Sequence, residues 1–128
     1  MIYLDSSVAL AQLQAEDRAP PAELWQEPLI ASRLLEYEVW NRLHVRKLGR
    51  NYAEGARLLI GRVALVELVP PVLARVLEPF PLAVRTLDAL HLATIEFLRA
   101  RGQNIELATY DDRLAAGARA LGIALATV

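Results

Sequence analysis

Five short apolar runs, separated by stretches of helical character, constrain this chain more than any other feature. They fall at residues 1–4, 29–31, 63–66 (continuing as 68–69), 105–109 and 123–126. Runs this short and, apart from Glu106 and Thr109, this apolar suit strands buried on both faces. Strands that alternate with helices call for an α/β fold, a parallel sheet with helices on both faces. The first run, Met1-Ile2-Tyr3-Leu4, leads straight into Asp5, Ser6 and Ser7. Ligands of parallel sheets gather beyond the carboxyl ends of the strands, so Asp5 stands where chemistry would sit. It is equally well placed to cap the next helix, with Ser6 or Ser7 sharing that task.

The segments between the runs read as helices. Residues 7–14 form a short one, and Pro20-Pro21 opens a second over 22–26. Ser32 is expected to cap a helix over 33–48, whose Leu35, Val39 and Leu43 recur every four residues and which Gly49 would terminate. Asn51 and Glu54 have the spacing of a capping box for a helix running through Leu58 to Gly61. Pro70-Pro71 would close the third strand, and a short helix is expected over 72–77. The clearest helix starts at Thr86 as its cap and runs through Leu87, Leu90, Ala93, Ile95 and Leu98 to Gly102. Tyr110-Asp111-Asp112 opens the last helix, which carries Leu114, Ala118 and Leu121 and stops at Gly122. With no repeat, linker or low-complexity stretch, the expectation is a single domain over 1–128.

Composition removes several classes. There is no cysteine, which excludes disulfides and thiolate-bound zinc. Charged residues interrupt every long apolar run, so no membrane span is expected. A strand at the very start leaves no room for a signal peptide, and a cytoplasmic protein is anticipated. A formal net charge of −1 gives no global basic field of the kind typical of nucleic-acid binders. All the basic side chains except Lys47 are arginines, however, and the guanidinium fork suits phosphate.

The carboxylates carry the functional argument. In a parallel sheet with right-handed crossovers, Asp5 after the first strand and Asp111 after the fourth reach the same edge. Asp88 lies in the first turn of the helix feeding the fourth strand, and one acid of the long helix, Glu36 or Glu38, could lean over that edge. Periodicity does not choose between those two, since both border apolar positions. Each acid also has an ordinary role as a helix cap or as a surface partner of Arg33 or Arg42. As a set they repel one another unless a cation joins them. Oxygen ligands without cysteine point to a hard ion, Mg2+ or Mn2+, and to phosphodiester hydrolysis.

Four stretches in this order, Ile2-Tyr3-Leu4-Asp5-Ser6-Ser7, Ala31-Ser32-Arg33-Leu34-Leu35-Glu36-Tyr37-Glu38-Val39, Arg85-Thr86-Leu87-Asp88-Ala89-Leu90-His91-Leu92-Ala93 and Leu107-Ala108-Thr109-Tyr110-Asp111-Asp112-Arg113-Leu114, resemble those of PIN-domain ribonucleases. The resemblance is to the VapC-type toxins of toxin-antitoxin pairs in particular. It implies a three-layer fold with a five-stranded parallel sheet in the order 3-2-1-4-5. It also implies a metal-binding, catalytic set of Asp5, Glu38, Asp88 and Asp111, with Glu38 selected because the helix acid follows the serine of the Ala-Ser pair by six residues. Ser6 would orient Asp5 or a metal-bound water, and Thr109 would act beside Asp111. The implied activity is Mg2+-dependent cleavage of RNA, with Mn2+ as a substitute, blocked by a cognate antitoxin in a protein that forms a homodimer. Asn41, Arg85 and Arg113 are candidate contacts to RNA or antitoxin, whereas His91, Trp25, Trp40 and Tyr37 are expected to pack or to lie at interfaces. Two other readings remain: a PIN-like binding module without activity, and a phospho-accepting receiver module, which would want a lysine after the last strand.

Overall fold

A computed structural model describes residues 1–15 and 17–128. Its five strands are β1 (Ile2–Leu4), β2 (Leu29–Ser32), β3 (Val63–Val66), β4 (Glu106–Ala108) and β5 (Ala124–Leu125). All pairings are parallel and the order is β3-β2-β1-β4-β5, the order that the resemblance implies. Six helices connect them: α1 (Ser6–Gln14), α2 (Leu34–Val45), α3 (Gly49–Gly61), α4 (Pro70–Val76), α5 (Thr86–Ala100) and α6 (Asp112–Ala120). A short 3₁₀ turn spans Ala22–Gln26. Helices α1, α2 and α3 pack together, as do α4, α5 and α6, and right-handed crossovers put the two groups on opposite faces of the sheet.

β1 is central, with Tyr3 registered against Ile30 on one side and Leu107 on the other. Tyr3 and Leu4 are fully buried. The α2 stripe Leu35, Val39 and Leu43 is likewise fully buried, and α5 adds Leu92 and Ile95. These side chains belong to one core that also takes in Val8, Leu24, Leu114 and Ile123.

Several helix ends differ from the sequence reading, each for a visible reason. α2 stops at Val45 because Lys47, and not Gly49, takes the left-handed conformation (φ 59). The Leu48 amide then donates to Leu43 O and the Lys47 amide to His44 O, a Schellman arrangement whose apolar follower, Leu48, packs on the core. Gly49 opens α3, where an added Cβ would stand 2.9 Å from His44 Nδ1. Since α3 is already helical at Gly49, Asn51 and Glu54 lie inside it and form no capping box. Pro70 and Pro71 begin α4, supplying the preset φ of a first turn, and β3 ends at Val66 without 68–69. Arg85 holds the N-cap position of α5 and Thr86 is its first residue. Gly102 and Gly122, in contrast, end α5 and α6 in left-handed conformations as their positions imply.

Candidate active site

At the carboxyl ends of β1 and β4 lies a cavity of about 770 Å³. Its lining includes four carboxylates, Asp5, Glu38, Asp88 and Asp111, delivered by the end of β1, by α2, by the first turn of α5 and by the residue that caps α6. Glu36 is elsewhere: it lies 3.5 Å from Arg33 in an ion pair and lines a different depression beside β3.

Asp5 is buried and is the N-cap of α1, so the capping role and a place in the cavity belong to one residue. The donors that hold it reach one oxygen. Ser7 Oγ donates to Oδ2 at 2.6 Å, Thr109 Oγ1 donates to the same atom at 2.8 Å, and the Ser7 amide does so at 3.4 Å. Ser7 Oγ in turn accepts from the Tyr110 amide, and Thr109 Oγ1 from the Asp111 amide. The serine that orients Asp5 is therefore Ser7. Ser6, expected to orient Asp5 or a metal-bound water, lines the cavity without a hydrogen bond to Asp5, because Ser7 is the residue that the first turn of α1 brings to the Asp5 carboxylate. Thr109 acts on Asp5 as well as beside Asp111. Asp111 caps α6, its Oδ1 accepting from the amides of Arg113 and Leu114.

Glu38 has its own holder. His91 Nε2 lies 2.6 Å from Glu38 Oε1, and His91 Nδ1 lies 2.7 Å from the Tyr3 hydroxyl, which accepts from the Ser32 amide at 3.1 Å. His91 is 1 % exposed, so it packs in the core as expected, but both its ring nitrogens have polar partners there. One signal of this was available in sequence: His91 follows Asp88 by three residues, one helical turn along the same face. Another was the phenol in β1, since a buried Tyr hydroxyl needs a partner.

Charge records the convergence of the acids. Partial burial, then the neighbouring Asp111 and Asp5 carboxylates, push the Asp88 carboxyl above the usual range. Burial works against a charge on His91, but the hydrogen bond and charge of Glu38, with Asp5 and Asp88 behind it, outweigh burial and hold its pKa up. Burial above all, with Asp5 and Glu38 adding to it, keeps the Tyr3 phenol protonated. Against these acids stand Arg18, Arg42, Arg46, Arg85 and Arg113, which line the same cavity. Arg42 and Arg46 follow Glu38 at intervals of four on α2 and its cap, a stripe that the near-zero net charge conceals. Asn41 is exposed and outside this lining. Lys47 ends α2 and is likewise outside it, so no lysine of the kind a receiver module wants is in place.

Among the described residues no three acidic or imidazole groups already stand close enough to share one ion. Carboxylate oxygens spread around an open cavity suit a divalent ion that keeps several waters and takes only one or two carboxylates directly. The residues thus fit a hydrated hard cation better than a closed cage.

A five-stranded parallel sheet in the order 3-2-1-4-5 with clustered acids at the ends of its central strands defines a class. The family model of the PIN domain matches residues 2–120, and the chain belongs to the PIN-domain family. It is VapC-like along its length: Ribonuclease VapC46 of Mycobacterium tuberculosis is 35 % identical over 128 residues, covering 97 % of this chain and 95 % of that protein. Solved structures share the fold. The M. tuberculosis VapC20 toxin, described as cleaving the sarcin-ricin loop, aligns with a TM-score of 0.67 at 19 % identity over 91 % of this chain and 94 % of its own. A toxin-antitoxin complex from Klebsiella pneumoniae aligns at 0.68 and 18 %, over 99 % and 97 %. No helix among the described residues is long and apolar enough to cross a membrane.

Proposed function

We propose that this chain is a metal-dependent endoribonuclease of VapC type, with Asp5, Glu38, Asp88 and Asp111 as its acidic set and Mg2+ or Mn2+ as its ion. One observation carries the reading: four carboxylates and five arginines line a single cavity at the active edge of a PIN sheet. The acids alone would repel a phosphodiester, and the arginines alone would only bind one. A divalent ion held among Asp5, Asp88, Asp111 and Glu38 would polarise a phosphoryl oxygen and make a bound water a better nucleophile.

The chain's own residues do the rest. Arg85 and Arg113 hold backbone phosphates and set the register of the RNA. Ser7 and Thr109 fix Asp5 through Oδ2 and make no bond to Oδ1. The attacking water forms a P–O bond and gives its proton to a carboxylate. The opposite P–O bond breaks, its oxygen takes up a proton from solvent, and the products are a phosphomonoester and an alcohol.

The same reading includes a cognate antitoxin that offers a basic group to the acids, a homodimer, and action in the cytoplasm as a single domain over 1–128. A core that runs from Ile2 to Ile123 supports the last point.

The test is cleavage of purified RNA by purified protein with Mg2+, with Mn2+ and with chelator. Cleavage should need the ion, and Asp5→Asn should abolish it together with growth arrest on expression. Glu38→Gln should cost at least about 100-fold, in line with loss of a group acting at the transition state, whereas Glu36→Gln should leave the rate unchanged. Cleavage by Asp5→Asn at the wild-type rate would overturn the reading.

A further inference from the structure

The chain of polar contacts that ends on Glu38 is buried more deeply than the acid it serves. Tyr3 on β1 and His91 on α5 are 0 % and 1 % exposed, whereas the Glu38 side chain is 22 % exposed at the cavity wall. The contacts form one path: the Ser32 amide donates to the Tyr3 oxygen (3.1 Å), the Tyr3 oxygen lies 2.7 Å from His91 Nδ1, and His91 Nε2 lies 2.6 Å from Glu38 Oε1. The Tyr3 and His91 rings meet edge to face with centroids 5.8 Å apart, which fixes the imidazole plane.

Proton placement follows from the groups. An ionised carboxylate only accepts, so the proton between His91 and Glu38 sits on Nε2. A phenol both donates and accepts. With a neutral ring its hydrogen meets Nδ1, and with a charged ring its free lone pair takes the Nδ1–H. In either state Nε2–H reaches Glu38, and the neutral ring also gives the phenol hydrogen its acceptor.

A fold seeking only stability has no use for this arrangement. Buried polar groups cost free energy that apolar side chains of the same volume do not, and the gain from their hydrogen bonds roughly offsets the loss. What the path does achieve is directional. It links β1, β2, α5 and α2 to one carboxylate oxygen, Oε1, of a residue that lines the cavity.

We propose that Tyr3 and His91 are positioning residues: a buried relay that fixes the Glu38 carboxylate and thereby sets how tightly the acidic cavity takes a divalent cation. The proposal rests on the metal reading above. It assigns His91 no contact with RNA or ion.

The test measures Mn2+ affinity of the purified full chain by electron paramagnetic resonance, with thermal unfolding of the metal-free protein alongside. His91→Ala should weaken Mn2+ binding about 10- to 100-fold, the usual effect of losing a group that orients a ligand. His91→Gln, which keeps an N–H near the place of Nε2, should recover most of that loss. Tyr3→Phe should weaken binding by a smaller factor. In a Glu38→Gln background, His91→Ala should add little, since both act through one carboxylate. A variant that supports bulk packing only would show no rescue, and its effect would multiply with that of Glu38→Gln.

If His91→Ala does not fold, Tyr3→Phe, His91→Gln and their combinations with Glu38→Gln decide between relay and packing. Wild-type affinity in folded His91→Ala, or in Tyr3→Phe where His91→Ala does not fold, overturns the relay. Asp5→Asn separates the two claims: loss of Mn2+ there, with none in the His91 and Tyr3 variants, leaves the metal reading standing and removes the relay. Absence of Mn2+ binding in the wild type removes both.

Discussion

Thr109 Oγ1 donates to Asp5 Oδ2 at 2.8 Å and so ties the ends of the adjacent strands β1 and β4. Ser7 completes the tie, because its hydroxyl donates to the same oxygen while accepting from the Tyr110 amide. Ser7→Ala should therefore both loosen Asp5 and orphan an amide. We expect a loss of about 1–3 kcal/mol in unfolding free energy together with weaker Mn2+ binding. Thr109→Val, nearly the same shape, should weaken binding with a smaller loss of stability. Ser6→Ala should do neither to a comparable degree. Urea melts and metal titrations of the three proteins check this, and an effect of Ser6→Ala as large as that of Ser7→Ala would restore Ser6 as the orienting residue.

Asp88 makes a prediction about pH. Burial and then the charges of Asp111 and Asp5 raise its folded-state pKa above the unfolded value. Between those two values the folded chain holds a proton that the unfolded chain has lost, so stability falls as pH rises through the window. Above the window the metal-free protein carries the full cost of an ionised Asp88. Asp88→Asn should therefore melt higher than wild type at pH 7 in chelator, and the gap should close below about pH 4, the ordinary carboxylate range. Added Mn2+ should reverse the ranking by stabilising only the wild type. Differential scanning calorimetry at both pH values decides it; equal melting temperatures in chelator at pH 7 would count against the electrostatic account.

The arginine rim predicts a salt dependence. Arg42, Arg85 and Arg113 are exposed side chains on the walls of the acidic cavity. If each meets one phosphate of a single strand, replacing it with Gln should make the slope of log affinity against log salt shallower by about 0.7. Affinity should drop alike for unrelated sequences, because phosphate contacts carry no base information. The measurement suits an Asp5→Asn background, where cleavage does not intervene. Asn41→Ala should leave both affinity and slope unchanged, given its place outside the cavity.

The inner strands were legible because a parallel sheet buries both their faces, so Leu29 to Ala31 had to be apolar throughout, whereas at the sheet edge only Val63 of Val63 to Val66 is buried and the apolar run there marked the strand without needing full burial. The acid set was legible in part: Asp5 and Asp111 follow strands, and strand ends share an edge. Glu36 and Glu38 were not separable by periodicity, because what distinguishes them is how α2 is set over the end of the sheet, and that is decided by Leu35, Val39 and Leu43 packing beneath it. The arginine rim was hidden for a similar reason, since net charge sums over the surface while Arg18, Arg42, Arg85 and Arg113 are brought together only by the fold. His91 resembled a core residue in sequence and is one, but its ring nitrogens face partners from β1 and α2.

The junction of α2 and α3 is not legible in the sequence because glycine is the usual left-handed cap, and here the glycine serves close approach instead. Lys47 bears the left-handed conformation at φ 59, while Gly49 makes room for His44, whose ring stacks on Trp40 with centroids 5.8 Å apart. A non-glycine residue in that region is disfavoured by roughly 1–2 kcal/mol, part of which a glycine would give back in chain entropy. Lys47→Gly should accordingly stabilise the protein by a few tenths to about 1 kcal/mol. Gly61 offers the comparison, since a Cβ there meets nothing within 4 Å and the residue is helical. Gly61→Ala should gain about 0.4–1 kcal/mol through the unfolded chain. Gly49→Ala, equally helical, should lose that gain, because its Cβ would sit 2.9 Å from His44 Nδ1 and would force the imidazole off Trp40. Denaturant midpoints of the three variants test the assignment, with Trp fluorescence reporting on the stack; a Gly49→Ala protein as stabilised as Gly61→Ala would mean that close approach to His44 does not require glycine at this position.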